Sequence, residues 1–287
     1  MIELTGVTKR YGDLAAVDGF TLTLPDSGIY CLLGRNGAGK TTLMKLVAGH
    51  IGATAGRIEV DGRRVTPARM PESVTYIEGG GQQFNMRVGD LIDAAAGLQP
   101  DFDAAFAHDM VGRFDLAPGK RFRKLSLGMK AMVTTIIALA NNSKTILMDE
   151  LTLGFDAVMR AQFNTLLLES FEAHPRLIVV STHLIDEIAK VAQRLVVIDH
   201  GRLLLEAGIE DIDELAYTLS GPVDAVRPLL AGLNCIGQTV MGSVMAAHVY
   251  DRRITPPPGV AVTNMDLQDF FVNLVEPGST WVGGNHE

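Results

Sequence analysis

The sequence predicts an α/β protein with a mostly parallel core sheet, an antiparallel β layer and a helical subdomain. Three observations lead there. A glycine-rich stretch, GRNGAGKTT at residues 34–42, sits between an apolar strand and a helix. Apolar strands alternate with helices from about residue 144 to 199. Short alternating strands lie on both sides of the glycine-rich stretch, the pattern of a half-buried antiparallel layer.

In chain order, residues 2–5 and 20–24 alternate as strands, and 56–60 form a third that ends in the turn Asp61-Gly62. Residues 29–33 read as a buried strand and 42–49 as a helix stopped by Gly49. The helical region follows. Residues 88–98 are apolar and alanine-rich, 102–114 carry spaced apolar positions, and 129–139 are a further apolar helix. Then come strand 146–148, a helix at about 160–174, strand 177–180, a helix at about 185–193 and strand 195–198. That order predicts parallel pairing through right-handed crossovers. After Gly208 the segments shorten: 215–219 and 245–250 are strand-like, 256–258 is a proline run, 265–274 is a small amphipathic helix, and 283–287 should fray. The expected division is a large unit of residues 1–208, its helical subdomain at about 85–140, and a small α/β appendage of 209–287.

Bulk properties narrow the class. The 287 residues are 47% hydrophobic with a net charge of -8, enough apolar content for a sizeable core and an acidic balance that argues against nucleic acid as a ligand. The basic run at 120–124 reads as a solvated face. Cys31 and Cys235 build neither a disulfide framework nor a metal site, as suits a reducing cytoplasm. The start is polar and strand-like, so no signal peptide is expected, and no apolar run reaches the ~18–20 residues that span a bilayer. The expected location is cytoplasmic, reaching the inner face of a membrane only through a partner.

The chemistry begins with the glycine-rich stretch, which satisfies G-x-x-x-x-G-K-[ST], the phosphate-binding loop. A strand, a turn and a helix in that order aim backbone N–H groups and the positive helix end at phosphate oxygens. Gly34, Gly37 and Gly39 allow close approach; Arg35, Asn36 and Ala38 complete the turn, and Thr42 enters the helix. Lys40 can reach the outer phosphates, and the Thr41 hydroxyl can ligate Mg²⁺. Asp149 and Glu150 end the apolar strand 146–148. In a phosphate-loop ATPase an acid here holds Mg²⁺, and Asp149 is the candidate. Glu150 is placed to polarise an attacking water. His183 follows strand 177–180, where it would face the ligand crevice of a parallel sheet; read alone, it serves equally as a capped loop residue. Ser126 and Gly128 precede a helix and form either an anion-binding end or an ordinary cap. Tyr11, in a turn ahead of the loop, could stack on a base.

Taken together and in this order, the motifs resemble the nucleotide-binding subunits of ABC transporters, which are P-loop NTPases. Tyr11 matches the adenine-stacking aromatic, GRNGAGKTT the Walker A loop and LSLGM at 125–129 the signature. ILMDE at 146–150 matches Walker B with its catalytic glutamate, GFD at 154–156 the D-loop with Asp156, and STH at 181–183 the switch histidine. The resemblance covers about residues 1–208, and LSLGMK and STHLIDEI look most like bacterial subunits of drug or peptide-antibiotic export. It implies ATP and Mg²⁺ as ligands. It also implies head-to-tail closure of two copies, or of a related pair, in which Ser126 and Gly128 complete the partner's site. The motor would power a permease on a separate chain, docked near residues 85–125.

Three positions depart from the pattern. Leu127 and Met129 replace a glycine and the glutamine of the signature, and Leu151 replaces the proline after the catalytic glutamate. The glutamine that in this family ligates Mg²⁺ and reports to the permease falls at Glu78 or Gly79, ahead of further glycines; Gln82 and Gln83 are shifted alternatives. Two other readings are a soluble ATPase of this type acting on ribosomes or DNA, and a nucleotide-gated interaction protein with weak hydrolysis. One Walker A, no sustained heptads and the acidic balance count against the first; Asp149, Glu150 and His183 count against the second.

Overall fold

A computed structural model describes residues 1–80 and 83–276. The chain divides into two compact units, residues 1–192 with 196–203, and residues 193–195 with 204 onward. Residues 204–208, given to the first unit on sequence, go with the second.

The first unit opens with the hairpin β1 (Ile2–Tyr11) and β2 (Leu14–Leu24). Tyr11 ends a strand opposite Leu14, where the sequence suggested a turn. Then follow β3 (Gly28–Leu33), α1 (Lys40–Val47), β4 (Ala55–Val60), β5 (Arg63–Arg64) and β6 (Val74–Glu78). The helical region comprises α2 (Val88–Leu98), α3 (Ala104–Arg113) and α4 (Leu127–Ala140). The strands and helices that follow are β7 (Thr145–Asp149), α5 (Ala157–Ala173), β8 (Leu177–Ser181), α6 (Ile185–Ile188), β9 (Arg194–Asp199) and β10 (Arg202–Gly208), the last two shared between the units.

Among the described residues β2-β1-β4-β5 make one antiparallel sheet, and β10-β9-β3-β8-β7-β6 make the core sheet. The pairs β3–β8, β8–β7 and β7–β6 are parallel. Every residue of β3, β7 and β8 is buried, which is why these strands read as continuous apolar runs and the outer hairpin as alternation. Phe20 and Leu4 from the antiparallel layer, Leu43 and Leu46 from α1, and Tyr30, Leu147 and Val179 from the core sheet share one cluster. That packing fixes the loop between β3 and α1 at the carboxyl edge of the sheet.

Helix α6 ends at Ile188, five residues short of the expected end. Val191 and Ala192 stay buried, so the apolar spacing continues, but their amides both turn back to the Ile188 carbonyl. Spacing alone cannot register that tightening.

In the second unit, α7 (Ile209–Leu215), β11 (Ala216–Pro222), α8 (Val223–Val226), β12 (Cys235–Met241), β13 (Val244–Tyr250), β14 (Ala261–Asn264) and α9 (Leu267–Val275) follow in order. The antiparallel sheet β12-β13-β11-β14 carries its own core of Tyr217, Leu219, Met245 and Val249. No helix among the described residues is long and apolar enough to cross a membrane.

Candidate active site

A cavity of about 720 Å³ opens over the glycine-rich loop. Its walls come from both sheets: Tyr11, Leu14 and Ala16 from the hairpin, residues 35–42 from the loop and α1, and Glu150, Leu153 and His183 from the ends of core strands. Gly39 caps α1 in the left-handed region at φ 112, and a Cβ there would stand 2.3 Å from the Ala16 carbonyl oxygen. Only glycine meets both conditions. Lys40 is 8% exposed; its Nζ donates to the Gly34 carbonyl at 2.7 Å and lies 3.7 Å from Glu150 Oε1. The ammonium is thus folded back onto the loop it serves.

The two acids play different parts. Asp149 is 1% exposed at the end of β7, with Ser181 Oγ donating to Oδ1 at 2.6 Å and Tyr76 OH donating to Oδ2 at 3.3 Å. Glu150 takes φ 51, a conformation uncommon outside glycine, and this turn carries its side chain to the cavity. There Oε2 is 3.0 Å from His183 Nδ1. Backbone held on both sides keeps the turn in place. The Glu150 amide donates to the Ser181 carbonyl at 3.0 Å, and the Gly79 amide donates to the Asp149 carbonyl at 2.8 Å.

Residue 79 leaves no space for a side chain, because a Cβ would stand 2.3 Å from the Glu150 carbonyl oxygen. Gly79→Ala should therefore displace the Glu150 backbone and cut hydrolysis by about 10- to 100-fold, since a shift on the ångström scale is enough for that. Nucleotide affinity, titrated separately, should stay near wild type. Unchanged turnover would show that Glu150 does not depend on this contact.

Hard oxygen donors suit Mg²⁺, and the buried Asp149 carboxylate together with the Thr41 hydroxyl at the start of α1 fits an ion held mainly by substrate phosphates. Among the described residues no three or more His, Cys, Asp or Glu gather around a metal position, and such a shared ion needs no such cage.

Other predicted residues lie outside this cavity. Ser126 caps α4, accepting from the Met129 amide at 3.2 Å; Ser126 is exposed and Gly128 buried, and neither lines the cavity. Asp156 caps α5, accepting from the Met159 amide at 2.8 Å. Glu78 is ion-paired with Lys45 at 2.9 Å, and with Gln83 it borders a separate recess of about 60 Å³ that also meets Phe122 and Leu127. Gln82 lies outside the described residues. Sequence reading missed the apolar wall of Leu14, Ala16 and Leu153, and it missed Tyr76 and Ser181 as supports of Asp149. For Ser181 the signal was at hand, since it opens the STH motif.

A family model described as "ABC transporter" matches residues 17–153, from β2 through the loop and both acids. The aliphatic sulfonates import ATP-binding protein SsuB 1 of Nocardia farcinica is 31% identical over 212 residues, 72% of this chain and 82% of that protein. This chain belongs to the ABC transporter family. It is an ABC transporter ATP-binding subunit and an ATPase. Two other similar ABC proteins are the lantibiotic transport ATP-binding protein SrtF of Streptococcus pyogenes and the Nod factor export ATP-binding protein I of Burkholderia lata. The first is 28% identical over 75% of this chain and 95% of its own length; the second is 30% identical over 71% and 70%. Among solved structures, a dimeric ABC ATP-binding cassette in a post-hydrolysis state with ADP and Pi matches with a TM-score of 0.63 at 19% identity, over 73% of this chain and 99% of that one.

Proposed function

We propose that two copies of this chain, or this chain and a related subunit, close head-to-tail over two ATP molecules to drive a permease on a separate polypeptide. The observation that carries this reading is a divided site. Loop, Glu150 and His183 share one cavity, while Ser126 and Gly128, at a helix N-terminus suited to phosphate, stand outside it. Closure would bring the partner's helix end over the γ-phosphate; a dimeric similar structure supports that geometry.

In each site Tyr11 stacks on the base, Lys40 leaves the Gly34 carbonyl for the outer phosphates, and the loop amides of residues 34–42 hold the rest. Thr41 and Asp149 would hold Mg²⁺, which offsets phosphate charge when bound. Glu150 takes a proton from the attacking water, and His183 orients Glu150 and contacts the γ-phosphate. Glu78, Gln82 and Gln83 are the candidates for passing the nucleotide state to the permease, Asp156 for passing it across the dimer. Export is the favoured direction, on the wording of LSLGMK and STHLIDEI and on similarity to lantibiotic-transport and Nod-factor-export proteins. The chain would then sit on the cytoplasmic face of the membrane through its permease, with residues 209–287 as an accessory domain.

A mixing experiment tests the divided site. Lys40→Ala and Ser126→Arg should each be inactive alone. Mixed in equal amounts, they form heterodimers in which one of two sites is intact, and about a quarter of wild-type ATPase should return for a two-fold dimer. A mixture as inactive as its parts would mean that Lys40 and Ser126 serve the same copy.

A further inference from the structure

We infer that Tyr76 is a positioning residue for Asp149: its hydroxyl fixes the second carboxylate oxygen and so sets how tightly the nucleotide site takes up a divalent cation. The inference rests on the assignment of Asp149 as the Mg²⁺ acid, and its test separates the two.

The geometry comes from three adjacent strands. β7 lies between β6 and β8, in parallel register, with Asp149 opposite Ser181 on one side and Glu78 on the other. A carboxylate is free to turn about its last torsion, where the energy wells are broad. Here the two neighbours remove that freedom. Ser181 holds Oδ1 from β8 at 2.6 Å, and Tyr76, two residues before Glu78, reaches Oδ2 from β6 at 3.3 Å. The longer bond is the weaker one, so Ser181 anchors the group and Tyr76 sets its plane. Each oxygen keeps a lone pair for a further partner.

Tyr76 is itself held. Its ring stands edge-on to His50 at 5.2 Å and 87°. Glu78 competes with Asp149 for the Tyr76 hydroxyl. Lys45 takes up that carboxylate at 2.9 Å, one turn along α1 from Thr41. That ion pair draws on Glu78, while the tyrosine hydroxyl reaches Asp149 Oδ2 at 3.3 Å.

Tyr76→Phe keeps the ring and its contact with His50. Affinity for a fluorescent ATP analogue should be titrated first in EDTA and then across a Mg²⁺ series, with Mn²⁺ uptake by the nucleotide-loaded protein followed by electron paramagnetic resonance. We expect metal-free affinity and melting temperature to match wild type, and the Mg²⁺ and Mn²⁺ concentrations at half-effect to rise about 10-fold, the lower end of what losing a support of a metal ligand costs. Asp149→Asn, run in parallel, should abolish the metal dependence. If Asp149→Asn keeps it, the assignment of Asp149 fails. If Asp149→Asn loses it while Tyr76→Phe behaves as wild type, the role given to Tyr76 is overturned. Equal losses with and without metal, or a lower melting temperature with unshifted metal dependence, overturn it too, since they mark a packing role.

Discussion

Glu150→Gln should slow ATP hydrolysis by about 10²- to 10⁴-fold, the usual worth of a positioned general base, and leave an ATP-bound dimer that does not reopen. Glutamine keeps the size of the side chain and can still hydrogen-bond His183, which stands 3.0 Å from Oε2 in the native chain. The loss is confined to proton acceptance. Lys40, 3.7 Å from Oε1, also loses a charged neighbour, which frees its ammonium for phosphate and favours tight ATP binding. Rapid-quench hydrolysis and light scattering with ATP read the two effects separately. A variant that turns over at the wild-type rate would remove Glu150 from the chemistry; one that neither hydrolyses nor dimerises would place its role in closure.

Lys40→Met tests the other pole of the site. Methionine fills the apolar part of a side chain that is only 8% exposed, and it removes the ammonium alone. A hydrogen bond to a charged group contributes about 1.5–3 kcal/mol, so ATP should bind about 10- to 100-fold more weakly. The discriminating measurement is a series of ATP, ADP and AMP. Lys40 is assigned to the outer phosphates, so the loss should be largest for ATP and small for AMP. An equal loss for all three would mean that the substitution collapsed the loop, whose Gly34 carbonyl is held by the same ammonium at 2.7 Å.

Much of this site was legible in the sequence because its chemistry is local. Nine consecutive residues define the phosphate loop, and the strand before it and the helix after it are each one uninterrupted pattern. Asp149 and Glu150 mark the point where an apolar strand meets the crevice, and His183 marks the same point on the next strand. What stayed hidden is non-local or conformational. Tyr76 and Asp149 meet from positions 73 apart in sequence, through strand register alone. The left-handed turn at Glu150 is written in no residue type, since glutamate has no preference for it. Gly79 stood in the sequence only as one candidate position for the missing glutamine, yet its backbone lies against that of Glu150 just past β6. In the second unit β12 escaped notice because its last four residues are all exposed, leaving no alternation to read.

The cavity has one more consequence. Tyr11, Leu14 and Ala16 belong to the antiparallel sheet, whereas Glu150 and His183 hang from the core sheet. A nucleotide seated there is a removable rivet through two layers that otherwise meet through a shared apolar cluster and the Arg202–Asp18 ion pair. A ligand that binds the folded chain alone adds about 2.7 kcal/mol of stability at a hundred times its dissociation constant. Bound nucleotide should therefore raise the resistance of this ATPase to heat and proteolysis.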